Sequence, residues 1–361
     1  ITLQATGDIT LGRLRTSNGT VAAVLVNSTA GRILDGGDNG GPDITAEAVG
    51  AVTTLQAAGG LGTASNALDL AVRNMVTNTV TLNGDQYLSE LDDLSSLDLN
   101  AGAGRITLVA GGSIPDGDGG LDIRASELTL QAAAAGTWLN PLQTALSTLS
   151  ATAVSGDLYF QEQDGLTVLS ANASAVGGDL GITSLAGDIR VGQIAANGLV
   201  TLRAVAGGIR PTATAVPIVS HDLELSAASG IGSQAAPLAV LVQRLEGAGG
   251  TGGLFLTTTG SVQVGGVSPS LLGLTGLSAV GSDIRLTSGG SVNTFEAVTT
   301  TGSGAIVVSA AQDVSISAPI TGEAGAVQLL AGRDVTLLLG GNITTTSGPV
   351  LLTADSDGIG G

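Results

Sequence analysis

The 361-residue chain contains no cysteine and no lysine. The first absence removes disulfides and thiolate chemistry and leaves the redox compartment open. The second means that all 12 basic residues are arginine, set against 30 acidic ones for a net charge of −18. Such a chain cannot neutralise a phosphate backbone, so nucleic acid is not an expected partner. An anionic membrane surface is disfavoured for the same reason. Aromatic residues number only three Phe, two Tyr and one Trp. An ordinary globular core draws much of its buried area from aromatic rings, so a thinner core of Val, Ile, Leu and Ala is implied. Proline is scarce at nine residues and glycine follows no three-residue period, which excludes collagen. No apolar run reaches the roughly 18 residues of a membrane span. The opening ITLQATGDITL has neither a basic region nor a cleavage site, so it does not read as a signal peptide. It and the closing LLTADSDGIGG both read as the middle of a pattern, and a longer parent chain is expected.

What is present is glycine, at 57 residues, and 43% apolar residues. That apolar share is enough to bury a core, so disorder is not expected. The main feature is a long internal repeat. VLVNSTAGRILDGGDNGGPDITAEAV at 24–49 is echoed by ITLVAGGSIPDGDGGLDIRASELTL at 106–130 and by VTLRAVAGGIRPTATAVPIVSHDLEL at 200–225. Start-to-start spacings are 82 and 94 residues. Each copy passes through an Ala/Gly-rich turn into a second matching stretch, at 61–75, 137–149 and 231–245. A chain that repeats in this way is an array, with each unit burying its face on the next. One continuous solenoid over 1–361 is expected, with repeats near 21–105, 106–199 and 200–304 and a partial unit at 305–361.

The local unit is a short alternating strand opened by Gly with Asp or Asn, as in SGDLYF (155–160), AGDIRV (186–191), GSDIRL (281–286) and GRDVTL (332–337). In AGDIRV the alternation sends Ile189 and Val191 to one face and Asp188 and Arg190 to the other. Glycine permits the corner, and Asp or Asn can bond its own backbone there. Many short strands between glycine corners predict an all-β fold, a right-handed parallel β-helix. At about 20 residues per coil the chain would make roughly 18 coils and a rod about 85 Å long. The second matching stretches also fit a short helix through Leu68, Val72 and Met75, through Leu142, Leu146 and Leu149, and through Leu238, Val242 and Leu245. Asn140-Pro141 would start such a helix. The same residues fit alternation, and the surrounding strands favour strand.

These repeats resemble those of giant bacterial surface adhesins of the filamentous haemagglutinin type. The resemblance is carried by the GDI-type strands, LTLQAA (128–133), LELSAASGIG (223–232) and GAGGTGGLFLTTTGSVQVGGVS (247–268), and it covers nearly the whole chain. It implies a right-handed parallel β-helix exported across the outer membrane and displayed or shed as a fibre. The expected role is the shaft of an extracellular adhesin, a stiff spacer for cell contact that assembles with its own kind. Host or neighbouring-cell glycans or proteins would be its partners. The amino-terminal secretion module of such proteins is not found in this sequence. The alternative is a carbohydrate-binding or polysaccharide-cleaving β-helix.

Few residues suggest chemistry, and no catalytic, cofactor or metal site is assigned. Two Asp/Gly loops offer oxygen ligands for calcium: Asp35, Asp38 and Asp43 in the first, and Asp116, Asp118 and Asp122 in the second. The third copy has RPTATAVPIVS instead, without a carboxylate, so polar turns are the preferred reading. A glycosidase or lyase reading would rest on Asp92-Asp93 or on Asp283 near Arg285. The acids of 85–100, namely Asp85, Glu90, Asp92, Asp93 and Asp98, and those of QEQDG (161–165) are expected on exposed faces or coil corners. His221, the single histidine, stands before Asp222 and reads as solvated. Trp138 reads as packing a loop, and no glycine phrase occupies a phosphate-binding context. The chain is not expected to be an enzyme.

Overall fold

The computed structural model describes residues 1–37, 41–117 and 119–355. The described residues are almost entirely short parallel strands, and their one helical element is a three-residue turn, Gly250–Gly252. The fold is a β-solenoid, as the alternation predicts. It divides into two compact units, one of 1–163 with 170–178 and the other of 164–169 with 179–361.

In the first unit, one face stacks Thr2–Ala5, Val24–Ser28, Val52–Ala57, Asn74–Asn78, Ser96–Asn100, Ile123–Arg124, Leu142–Ala145 and Leu158–Glu162. These strands mark eight coils. A second face runs from Leu14–Arg15 through Ile44–Ala46 and Leu68–Val72 to Thr148–Ala153. Apolar residues at alternate positions fill the space between: Leu128, Leu130 and Ala132 are each 2% exposed or less.

The second unit also has eight coils. Leu180–Ser184, Leu199–Ala204, Asp222–Ala227 and Arg244–Ala248 form its first face. The face then splits. Arg244 and Leu245 pair with Gln263 and Val264, while Gly247 and Ala248 pair with Leu277 and Ser278. From there each coil has three sides, for example Ile284–Ser288, Val292–Thr294 and Val298–Thr300. Ile189 and Val191 point into the core and Arg190 is exposed, as expected.

The coils are uneven in length and on average longer than the anticipated 20 residues. Registered partners lie 18 apart at Leu142 and Phe160, and 30 apart at Gly247 and Leu277. Loop excursions take up the difference, which is why sixteen coils form where eighteen were expected. The second matching stretches are strands, Leu68–Val72, Leu142–Ala145 and Leu238–Leu241. Asn140-Pro141 ends a tight turn instead of starting a helix, with the Thr137 N–H donating to the Asn140 carbonyl at 2.9 Å. The same turn recurs at 63–66 and 233–236. Each is entered by a glycine of positive φ, at Gly62, Gly136 and Gly232. A Cβ there would lie about 2.5 Å from the carbonyl of an aromatic residue in the next coil, Tyr87, Tyr159 or Phe255. Four of the six aromatics gather at these turns, where Trp138 meets Tyr159 edge-on at 6.2 Å.

Candidate functional site

Acidic side chains at coil corners are mostly tied to the neighbouring coil. Asp8 Oδ1 accepts the Arg32 N–H at 2.8 Å, Asp85 that of Arg105 at 2.9 Å, and Asp188 that of Gly208 at 2.7 Å. The strand-opening Asp was expected to bond its own backbone. Its partner instead lies 20 or more residues on, because parallel stacking brings the next corner directly over it.

Of the calcium candidates, Asp43 and Asp122 follow this pattern, while Asp35 and Asp116 bond the backbone of their own loops. Asp43 is 2% exposed, and its Oδ2 accepts the Asp69 N–H at 3.1 Å. Asp122 is equally buried and accepts from Gln143 at 2.7 Å. Asp35 Oδ1 accepts from Gly37, and Asp116 Oδ1 from Gly119. Asp38 and Asp118 lie outside the described residues. Burial, with Asp35 and Asp69 close by, pushes the Asp43 carboxyl up to about 7. Among the described residues no group of three His, Asp or Glu side chains has metal-holding geometry.

The other candidates are also drawn into the scaffold. Asp93 Oδ1 accepts the Ser113 N–H at 2.6 Å. Asp283 accepts the Ala305 N–H with one oxygen and holds Arg285 with the other. Ser220 and His221 do not form a relay with Asp222. The Ser220 hydroxyl donates to the Asp222 carbonyl at 2.7 Å, and the Asp222 carboxylate makes a two-point contact with Arg244 at 2.6 Å. His221 Nδ1 lies 3.1 Å from Asp222 Oδ1 and keeps a half-exposed ring.

Two acids contradict the expectation of exposed faces. Glu90 and Glu162 are 3% and 0% exposed. Strand parity is the cause, because Glu90 follows Leu88 on the inward side and Glu162 follows Phe160. Glu162 accepts the Leu146 N–H and the Thr144 hydroxyl, and Glu90 accepts the Val72 N–H. Burial drives the Glu90 carboxyl up to about 8, against the pull of that N–H.

The densest ionisable cluster was not singled out from sequence. It lies on the outer side of Asp222–Ala227 and Arg244–Ala248. Asp222 registers with Arg244, and Thr201, Glu224 and Glu246 stand in one row. Residues 265–276 leave the sheet between Val264 and Leu277 and fold back over that row. Glu224 receives the Leu271 N–H at 2.8 Å, the Leu272 N–H at 3.2 Å and the Ser270 hydroxyl. Glu246 receives the Val267 N–H at 2.9 Å. Glu296, from the next coil, receives Gly266 at 3.1 Å and Gly276 at 2.7 Å. The sequence signal is weak: DLEL and RLEG each carry an acid two residues after a charged one, but the covering loop supplies the burial.

A separate surface hollow of about 280 Å³ is lined by Ser233, Gln234, Phe255, Thr257, Arg285 and Thr287. Compared with protein-family models, curated proteins and solved structures, the chain gives no match.

Proposed function

We propose that this chain is a shaft segment of an extracellular bacterial adhesin or fibre, the role that its resemblance to filamentous haemagglutinin-type repeats implies. The observation that carries the reading is the use of its carboxylates. Asp8, Asp43, Asp85, Asp93, Asp122, Glu162 and Asp188 each bind a backbone N–H of another coil, so the acids act as rivets between coils. Continuous interstrand hydrogen bonding with riveted corners suits a stiff, protease-resistant spacer and not a reaction centre. The partners are neighbouring repeats or copies of the same chain, and glycans or proteins on a facing cell.

Antibodies raised against the chain should label intact producing cells, or fibres shed from them. Labelling that appears only after lysis would overturn the proposal.

A second reading, a carbohydrate-binding β-helix, is favoured by the hollow beside Phe255. An aromatic ring flanked by Thr257, Thr287 and Arg285 offers stacking and hydrogen-bonding groups to a sugar. Glycan-array binding that is lost in Phe255→Ala, with the fold intact, would favour this reading. An array with no signal would remove it.

A further inference from the structure

We propose that residues 265–276 are a pH-sensitive strap, held closed over the outer face of the second unit while Glu246 is protonated and released when it ionises. The geometry carries the argument. The strap has no ionisable side chain of its own, and its backbone hangs on three carboxyl groups. Five of its backbone N–H groups, those of Gly266, Val267, Leu271, Leu272 and Gly276, point at Glu224, Glu246 or Glu296. It joins strands that in the next coil are separated only by Phe295, Glu296 and Ala297. It is therefore an addition to the coil, and the solenoid remains continuous whether it is closed or open. Gly276 closes its far end at φ 66°, where any Cβ would strike the Ala297 carbonyl.

Glu246 is the weak member of the three. It is 1% exposed, and its Oε2 receives no hydrogen bond. Burial, followed by the nearby Glu296 and Glu224, lifts its carboxyl to about 7 against the pull of the Val267 N–H. The charged groups around it are few. Arg244 is committed to Asp222, with His221 beside them. Arg203, on the adjacent strand, is exposed. Arg244 also attracts Glu246, but its guanidinium is held by Asp222, so the Glu224 and Glu296 carboxyls and burial outweigh it. Ionisation therefore sets Glu246 against Glu224 and Glu296 in a dry site, and opening returns all three to water. The opened strap uncovers the outward row of Thr201, Glu224 and Glu246.

The sign follows from linkage. A carboxyl with a higher pKa in the closed form favours closure at low pH, and that preference is lost as pH rises through about 7. The test is hydrogen exchange of the full chain at pH 5.5 and 8.5, corrected for intrinsic rates. The strap amides are read against those of Ile284–Ser288 as an internal control. Protection of the strap should fall roughly tenfold to thirtyfold over that range while the control strand stays unchanged. Glu246→Gln, which keeps the shape without the charge, should hold the strap protected at both values. A strap whose protection does not change with pH would overturn the proposal, and so would an equal change in Glu246→Gln. If Glu246→Gln fails to fold, Ser270→Ala offers a second arm. It weakens the Glu224 anchor and should raise exchange at Leu271 and Leu272 at both pH values while the fall with pH persists.

Discussion

Two stretches of this solenoid solve one problem with different chemistry. Around Leu68–Glu162, in the first unit, buried glutamates reach across to corner N–H groups, as Glu162 does to Leu146 and Glu90 to Val72. Around Ile284–Ala331, in the second, buried hydroxyls take that inward role, while carboxylates such as Asp283 and Glu323 hold corner N–H groups from the outer side. Ser288 donates to the Gly260 carbonyl at 2.8 Å and accepts the Gly290 N–H, and Thr300 donates to the Ser282 carbonyl at 2.8 Å. Both satisfy backbone groups that a tight corner would otherwise leave bare. The glutamate version gives one carboxyl several partners but has to desolvate it, and at Glu90 that burial ties stability to pH. The hydroxyl version is smaller and neutral at every pH. It accompanies the most regular coils, with Ile284, Ile306 and Val327 in unbroken register. Corner chemistry, more than core composition, separates the two stretches.

The largest test is pH, with Glu90 reporting on the glutamate stretch and Asp43 and Glu246, outside both stretches, adding to the same trend. Asp43, Glu90 and Glu246 have folded values of about 7, 8 and 7, above their ordinary values of 3.8, 4.5 and 4.5. Each contributes stability that is complete below about pH 4 and is lost as pH rises through 7 to 8. Glu90 alone should contribute on the order of 3–5 kcal/mol to that loss. Denaturant unfolding should show a more stable protein at pH 5 than at pH 9, with a shallower slope in Glu90→Gln. A protein more stable at pH 9 would break the comparison.

Glu162→Ala should come next. It strands the Leu146 N–H and the Thr144 hydroxyl in the core, at a cost of about 2–4 kcal/mol by thermal unfolding. Ser288→Ala removes one donor and one acceptor in a hydroxyl corner and should cost about 1 kcal/mol, with no change in pH slope. If the two substitutions cost the same, the distinction between the corner types loses its energetic meaning. The smallest effect concerns metal. Asp43 and Asp122 already accept N–H groups, so excess chelator should move Tm by less than about 1 °C. A larger drop would show that a cation shares those loops.

Much of the scaffold could be read in advance, and the reason is its short range. In AGDIRV, alternation over four residues is enough to send Ile189 and Val191 inward. The helix alternative at Leu68, Leu142 and Leu238 fitted the sequence equally well. It lost because strands stacked on both sides supply ladder partners that a helix would forgo. The acids were less legible. Parity alone would have sent Glu90 inward with Leu88, yet acidity argued for solvent. The outcome depended on a Val72 N–H that only coil stacking brings within 3.1 Å. The hydroxyl corners were missed because a serine before glycine looks like any turn residue.

By itself, the sequence determined a chain without disulfides, with a thin aliphatic core, built from short alternating strands with glycine corners. Each of those properties is a matter of composition or of neighbours a few residues apart. The tertiary structure alone decided where the carboxylates went. Glu224 meets Ser270, Leu271 and Leu272 across 46 to 48 residues, and Glu246 is buried because a loop happens to cover an outward face. Alternation tells a side chain which way to point. What it meets there depends on the coil stacked beside it, and that is set by loop lengths that no local pattern encodes.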